Sequence, residues 1–181
     1  MLTNPKEYIE ELISIINADG YLNHLTNKTI ELIKTQSSKG HKVIIIGNGG
    51  SASIANHLAL DLWNNDGIKA MTFSESSMLT CVSNDEGYRN VYAVPIKMFA
   101  NSGDVLIAIS SSGESDNIIN GVFAAIDMGC KIITMSGFKD RNALRSFGEI
   151  NFYIPSSYYG YVELAHSILC HYISDMLGKD K

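Results

Sequence analysis

The sequence predicts an α/β fold in which helices cover both faces of one parallel sheet, giving a three-layer sandwich. Short apolar segments alternate along the chain with helical patterns, which is typical of successive βαβ units. Because such crossovers are right-handed, five strands favour a flavodoxin-like strand order. The predicted strands are 42–46, 68–73, 104–109, 131–135 and 150–154, and the predicted helices lie near 51–64, 87–100, 115–128 and 161–177.

Two further helices are predicted before the first strand. Residues 5–19 and 21–39 repeat apolar side chains at helical spacing, and Gly20 and Gly40 stand where helix C-caps would. They are either oligomer-interface helices or helices packed on their own sheet face. We expect a single domain over 1–181, with 1–40 as N-terminal interface helices and 41–178 as the α/β core.

Composition narrows the class of protein. The 181 residues are 45% hydrophobic, enough for one full core, and the net charge of −5 argues against a nucleic-acid partner. No apolar run approaches the ~20 residues of a membrane span, and residues 1–20 lack the apolar centre of a signal peptide. Three cysteines without a CxxC pair fit a reducing compartment. We therefore expect a cytoplasmic protein without a membrane partner.

The glycine loop, Gly47–Ser51, predicts an anion site. It follows the buried apolar strand Val43–Ile46 and opens a helix, so free N–H groups and a positive dipole end point at the loop. It lacks the lysine of a P-loop. Its glycine spacing also satisfies a loose dinucleotide fingerprint, with Glu75 as the acidic residue, and so leaves an NAD-dependent oxidoreductase as an alternative.

The serine loop, Ser110–Ser115, follows another predicted strand. Its four hydroxyls and its backbone N–H groups would suit a phosphate monoester. The alternative is a serine N-cap with turn serines. Two such loops after two parallel strands favour a ligand, with one loop holding the phosphate and the other the sugar hydroxyls.

Two predicted helices carry residues of the types that bind metals. His57 and Asp61 share one helix face, and Glu163 and His171 lie about 80° apart around the last helix, which also carries His166. Imidazole and carboxylate ligands suit zinc or a similar divalent ion. The alternative is histidines packed in a core or an interface.

The chain resembles the phosphoheptose isomerases (sedoheptulose-7-phosphate isomerases) of the sugar isomerase (SIS) domain superfamily. The resemblance extends from about residue 6 to 177 and is carried by GNGGSASIANHLALDL, CVSNDEGY, ISSSGESDNI and the closing E-x-x-H-x-x-x-x-H. It implies a homotetramer with N-terminal helices at its centre and active sites shared between subunits.

The resemblance also implies an activity. The family converts sedoheptulose 7-phosphate, a ketose, to glycero-manno-heptose 7-phosphate through an enediol, for lipopolysaccharide, capsule or S-layer heptose. His171 and Asp61 would exchange the acid and base roles, with zinc or another divalent metal bound in each subunit. The implied substrate-binding residues are Asn48, Gly49, Gly50, Ser51, Asp85, Ser110, Ser111, Ser112, Ser115 and Glu163, and the implied metal ligands are His57, Asp61, Glu163 and His171.

Three departures from the family pattern leave the sugar itself open. Asp61 stands where the family usually has Glu, and Glu163 where Gln is commoner. The loop Ser156–Tyr161 is about three residues short and lacks an acidic residue often found there. The rival function is a non-catalytic phosphosugar-binding or replication-initiator-associated SIS-domain protein. Such relatives tend to lose the final histidine, so His171 favours the enzyme.

Overall fold

A computed structural model describes residues 4–16 and 20–178. The strands are β1 (Val43–Gly47), β2 (Ala70–Thr72), β3 (Val105–Ser110), β4 (Lys131–Ser136) and β5 (Ile150–Tyr153). The helices are α1 (Pro5–Ile16), α2 (Tyr21–Ser38), α3 (Gly50–Asn64), α4 (Ser76–Glu86), α5 (Ala93–Phe99), α6 (Asp116–Asp127) and α7 (Tyr159–Gly178), with 3₁₀ turns at Tyr88–Asn90 and Leu144–Ser146. No helix among the described residues is both long and apolar enough to cross a membrane.

The sheet confirms the predicted fold class and strand order. Its five strands run parallel in the order β2-β1-β3-β4-β5. The order reverses between β1 and β3, where ligands bind in open α/β sheets. The register pairs Gly47 with Ile109, so the chain leaves both strands at the same edge. The glycine loop and the serine loop therefore start side by side.

Each sheet face buries its own apolar cluster. Alternate residues of β1 separate, with Val43 and Ile45 on one face and Ile44 and Ile46 on the other. The first face is covered by α2, α3 and α7, with Leu12 of α1. The second is covered by α5 and α6, so the sheet is buried on both sides, as an all-parallel sheet must be.

The N-terminal helices serve the sheet of their own chain. Leu25 and Ile33 of α2 are buried in the first cluster, against α7 and β5. Ile9 and Ile13 of α1 leave about half of their surface exposed. The role of 1–40 as an oligomer interface stays a prediction, and residues 17–19 of the first predicted helix lie outside the described residues.

One predicted helix is wrong. The segment 87–100 is divided between a 3₁₀ turn and α5, and α4 precedes it where no helix was predicted. Gly87, with φ 82°, separates α4 from the turn. Helix α4 buries none of its residues completely, and only Met78, Leu79 and Val82 pack partly against the second cluster, so its apolar signal is short and weak. Its start is fixed by Glu75, whose carboxylate accepts from the backbone N–H groups of Ser77 and Met78.

Candidate active site

The glycine loop is shaped by close backbone approaches. A Cβ on Gly47 would lie 2.6 Å from the carbonyl group of Ser51, and Gly49 has φ 53°, a left-handed conformation that favours glycine. Ser51, in the first turn of α3, is buried. The loop thus brings the N-terminus of α3 directly over the end of β1, as an anion site requires.

Tyr92, which the sequence did not single out, holds this loop in place by a hydrogen bond from the protein interior. Its hydroxyl donates to the carbonyl oxygen of Gly47 across 45 residues of chain. Burial raises the pKa of Tyr92 to about 12, so the hydroxyl remains protonated as a donor. Nothing in the local sequence distinguishes Tyr92 from an ordinary core aromatic residue.

Three hydroxyls of the serine loop converge. Ser110 Oγ lies 3.5 Å from Ser112 Oγ and 3.2 Å from Ser115 Oγ. The N–H of Gly113 donates to Ser110 Oγ, and that of Glu114 to Ser112 Oγ, each at 3.2 Å. These N–H groups hold the hydroxyl oxygens in place, and the hydroxyl hydrogens can turn toward a phosphate, so the loop offers hydrogen bonds without a fixed positive charge.

Ser111 differs from its neighbours. Its hydroxyl is buried and finds no hydrogen-bond partner within the described part of the chain, while its carbonyl accepts from Gly137 N at 3.0 Å. The loop is backed by Asn142, whose side chain would be 2.1 Å from a Cβ on Gly113. Asn142 Nδ2 donates to Ser136 Oγ and to two backbone carbonyls, so a rigid support lies behind the three converging hydroxyls.

A His–Asp–His cluster joins α3 to α7. Asp61 Oδ2 lies 3.4 Å from His57 Nε2 and 3.7 Å from His171 Nδ1, and the three ligand atoms lie within 4.8 Å of one another. His57 and His171 are exposed and Asp61 is half-buried. The arrangement depends on the packing of α3 against α7. Helix periodicity shows which residues share a face of one helix, but not which two helices are in contact.

The cluster could hold a metal ion. A tetrahedral zinc ion with ligands at 2.0–2.1 Å needs donor atoms about 3.3 Å apart. The two separations from Asp61 are close to this value, and the two imidazole nitrogens, within 4.8 Å of each other, would move slightly closer together to bind the ion. Three protein ligands with a further position left for substrate are the usual pattern of a catalytic zinc site. The chain thus supplies a possible metal site of the predicted residue types, with His57, Asp61 and His171 as its members.

Glu163 lies apart from the cluster. A Cβ on Gly50 would be 2.6 Å from a carboxylate oxygen of Glu163, so this carboxylate covers the first turn of α3. Glu163 and His171 are separated by about 12 Å along α7, at 1.5 Å per residue. Its predicted role as a metal ligand stays a prediction, and its position places it beside the glycine loop.

Three other acidic or histidine residues have definite places. Asp85 is exposed on α4, where its carboxylate accepts from Asn84 Nδ2 at 2.8 Å, and its role as a site residue stays a prediction. His166 is fully buried, with Nε2 3.3 Å from the carbonyl oxygen of Ser136, and burial lowers its pKa to about 4. Glu75 is occupied as the α4 cap: hydrogen bonds from Ser77, and then from Met78, lower its pKa to about 2.

Comparison with known proteins agrees with this geometry. Residues 7–137 match the SIS domain family, to which the chain therefore belongs. The phosphoheptose isomerase of Pectobacterium atrosepticum is 33% identical over 183 residues, which cover 97% of this chain and 93% of the relative. That of Helicobacter pylori is 30% identical over 181 residues, covering 96% and 93%.

Solved structures lead to the same group. The phosphoheptose isomerase GmhA of Neisseria gonorrhoeae superposes with a TM-score of 0.88 at 26% identity, covering 96% of each chain. The Vibrio vulnificus NanR protein, solved with ManNAc-6P, has a TM-score of 0.70 at 16% identity and shares the fold. Within the SIS family the chain belongs to the phosphoheptose isomerases, and the predicted enzyme class, a phosphosugar aldose–ketose isomerase, is confirmed.

Proposed function

We propose that the chain interconverts sedoheptulose 7-phosphate and glycero-manno-heptose 7-phosphate through an enediol. One observation carries the chemistry: a carboxylate, Asp61, lies between the imidazoles of His57 and His171. The same helix that carries Asp61 begins at the glycine loop. In this proposal α3 carries both a phosphate-binding N-terminus and the proton-transferring carboxylate of Asp61, which fixes their separation.

The phosphate would bind at the carboxyl edge of β1 and β3. The hydroxyls of Ser110, Ser112 and Ser115 and the N-terminal N–H groups of α3 supply its hydrogen bonds. From Ser51 to His57, α3 advances by about 9 Å, a span that a seven-carbon chain can cover. Asn48 would contact the sugar between these two points.

The isomerisation needs proton transfer between C1 and C2. A base removes a proton from C1 of the ketose, the C2 oxygen gains a proton as the enediol forms, and the acid then protonates C2 as the C1 oxygen gives up its proton. Asp61 and His171 would exchange these two roles, since their polar atoms are 3.7 Å apart and His171 has a second ring nitrogen available. His57 orients Asp61 from its other side.

A zinc ion or similar divalent metal would be held by His57, Asp61 and His171. When bound, it would polarise the carbonyl and enediolate oxygens of the substrate. Glu163 would be a further ligand only after its carboxylate leaves Gly50, and in its present place it would contact the substrate instead. The side chain of Asp61 is one methylene shorter than the Glu that the family usually has at this position. A metal bound by Asp61 would therefore lie closer to the axis of α3.

The assembly forms part of the same proposal. We expect a cytoplasmic homotetramer with the 1–40 helices at the interface and with sites shared between subunits. Exposed Ile9 and Ile13 support an interface on α1. Sedimentation at micromolar concentration tests this, and a monomer would contradict the shared-site proposal.

The test of the activity is an NMR time course of sedoheptulose 7-phosphate with purified protein and added zinc. We expect new anomeric signals of an aldose heptose phosphate. Sedoheptulose without phosphate is the matched control and should not convert, because the serine loop has nothing to bind. Folded, zinc-bound protein that gives no conversion would contradict the proposed substrate and lead to other sugar phosphates or to the non-catalytic binding function.

A further inference from the structure

Asn117 connects the two loops of the candidate site. It lies in the first turn of α6, directly after the serine loop, and only 3% of its surface is exposed. Its Nδ2 donates to Asn48 Oδ1 at 2.8 Å, and Asn48 Nδ2 donates back to Asn117 Oδ1 at 2.9 Å. This reciprocal amide pair joins the glycine loop after β1 to the serine loop after β3.

The pair fixes the side chain of Asn48. Two parallel hydrogen bonds define the plane of its amide, whereas a single bond would leave that plane free to turn. One N–H of Asn48 Nδ2 is used by Asn117, and the other stays available for a ligand. The hydroxyl of Tyr88 approaches Asn48 Oδ1 at 3.4 Å and adds a weaker contact from the side. Asn48 is half-buried, so packing alone restricts its side chain only in part, and the hydrogen bonds to Asn117 supply the remaining restraint.

We infer that Asn117 is a positioning residue: it orients Asn48 toward the substrate and holds the two loops at a fixed separation. The inference deepens the proposed function, on which it rests, because Asn48 is the residue proposed to contact the sugar. Both polar atoms of the Asn117 amide are hydrogen-bonded to Asn48, and the residue is buried, so it acts on the substrate through Asn48 and not by direct contact. A displacement of about 1 Å in a positioned group can cost 10²-fold in rate, so a loosened Asn48 has a measurable effect.

The first experiment compares Asn117→Ala with Asn120→Ala. Asn120 lies one turn further along α6 and donates to Arg89 O at 3.1 Å, so it makes a similar contact between elements but touches neither loop. We expect kcat to fall about tenfold in Asn117→Ala, with unchanged inhibition by inorganic phosphate, since the serine hydroxyls remain. Asn120→Ala should stay within about twofold. Equal losses in both variants, or a parallel loss of phosphate inhibition, would overturn the inference.

The second experiment is a double-mutant cycle with Asn48→Ala. If Asn117 acts through Asn48, its replacement has no further effect once Asn48 is alanine. Losses that multiply would overturn the inference. Asn117→Asp serves if the alanine variant fails to fold, because an acidic residue in the first turn favours the helix. The aspartate can accept from Asn48 Nδ2 but has no N–H to donate to Asn48 Oδ1. If the aspartate also repels the substrate phosphate, that effect does not require Asn48 and is still present in the Asn48→Ala background.

A third measurement does not depend on the activity. Hydrogen exchange of the ¹⁵N-labelled Asn48 side chain should show one protected amide proton in the wild type, and protection should disappear in Asn117→Ala. Rapid exchange in the wild type would overturn the pair itself. Protection in a protein that fails to isomerise sedoheptulose 7-phosphate would confirm the pair and would place the failure in the proposed function alone.

Discussion

Polar side chains are hydrogen-bonded differently at the two ends of the strands, the amino edge and the carboxyl edge of the sheet. At the amino edge, Asp104 is buried and accepts from Lys42 N at 3.0 Å, Lys42 Nζ at 2.5 Å and Asn101 N at 2.7 Å. At the carboxyl edge, Ser110, Ser112 and Ser115 lie against one another with weaker contacts of 3.2–3.5 Å.

The difference separates structural from functional polarity. The carboxylate of Asp104 has its hydrogen-bonding capacity filled by its own chain, so it stabilises the fold and offers nothing to a ligand. The serine hydroxyls keep capacity for a further acceptor. Polar groups left incompletely paired at the end of parallel strands are therefore the better guide to a binding site than polar groups as such.

The largest effect is expected for Asp61→Asn. It removes the charged carboxylate between two imidazoles, so kcat/KM for sedoheptulose 7-phosphate should fall by about 10³-fold, within the usual range for a lost acid or base. The fold should persist because the change is isosteric on a helix surface. Zinc binding, measured by calorimetry, should weaken together with activity.

Asp127→Asn is the matched control for this prediction, since Asp127 is exposed at the end of α6, on the helix that covers the other face of the sheet. Turnover that survives Asp61→Asn at wild-type level would remove the cluster from the mechanism.

Asp104→Ala tests the amino edge. It leaves the ammonium of Lys42 without its partner, and we expect the free energy of unfolding to fall by about 3 kcal/mol, the lower end for a broken buried pair. Activity per folded molecule should not change. Glu149→Ala breaks the exposed pair with Lys131 at 3.4 Å and should cost less than about 0.5 kcal/mol in urea denaturation.

The same pair predicts an acid dependence. Burial opposes ionisation of Asp104, but the hydrogen bonds from Lys42 and Asn101 outweigh it and hold the pKa of Asp104 below its usual value of 3.8. Its contribution is therefore complete above the unfolded-state pKa and is lost as pH falls through the folded-state pKa. Asp104→Ala should flatten this part of the stability curve, and an unchanged curve would contradict the assignment.

His166 gives a smaller effect and sharpens the comparison, because it is structural although it lies near the carboxyl edge. Burial lowers its pKa to about 4 from 6.5, so below pH 6.5 the unfolded chain binds a proton that the folded chain does not. Between pH 7 and pH 4.5 the wild type should lose about 2 kcal/mol of stability through this residue. His166→Gln should lose correspondingly less over the same interval, as measured by denaturant titration at both pH values. Equal losses would contradict the buried neutral imidazole.

The smallest effect is expected for Ser112→Ala. Loss of one hydrogen bond to the phosphate, worth about 1 kcal/mol, should raise KM about fivefold with little change in kcat. Ser102→Ala, an exposed serine at the amino edge, should leave KM unchanged. A similar rise in KM in both variants would contradict the distinction between the binding serines of the carboxyl edge and the polar groups of the amino edge.

Much of the fold is encoded in local patterns. The apolar run Val43–Ile46 predicted β1 because a buried parallel strand needs apolar side chains on both faces. Helix α4 was missed because its contact with the core is limited to three partly buried side chains, Met78, Leu79 and Val82. The spacing of His57 and Asp61 also predicted their shared helix face.

The contacts made by tertiary packing could not be predicted in the same way. His171 meets Asp61 only because α7 lies along α3, and Asn117 meets Asn48 only because β1 and β3 are neighbours. In the sequence, Asn117 is one polar residue in a helix start. The resemblance to a family supplied the first of these pairings, and nothing supplied the second.

The packing of α7 also sets the order in which this site can be completed. Asp61 and His171 are roughly 110 residues apart, so their contact closes a long loop and cannot form during synthesis before α7 has been made. Helix α7 also supplies Val162, Ala165 and Ile173 to the first apolar cluster. During synthesis from the N-terminus, the sheet therefore exists with that face incompletely covered until α7 emerges. A nascent chain at this stage has neither the His–Asp–His cluster nor a closed core, and its exposed apolar surface is of the kind that promotes aggregation.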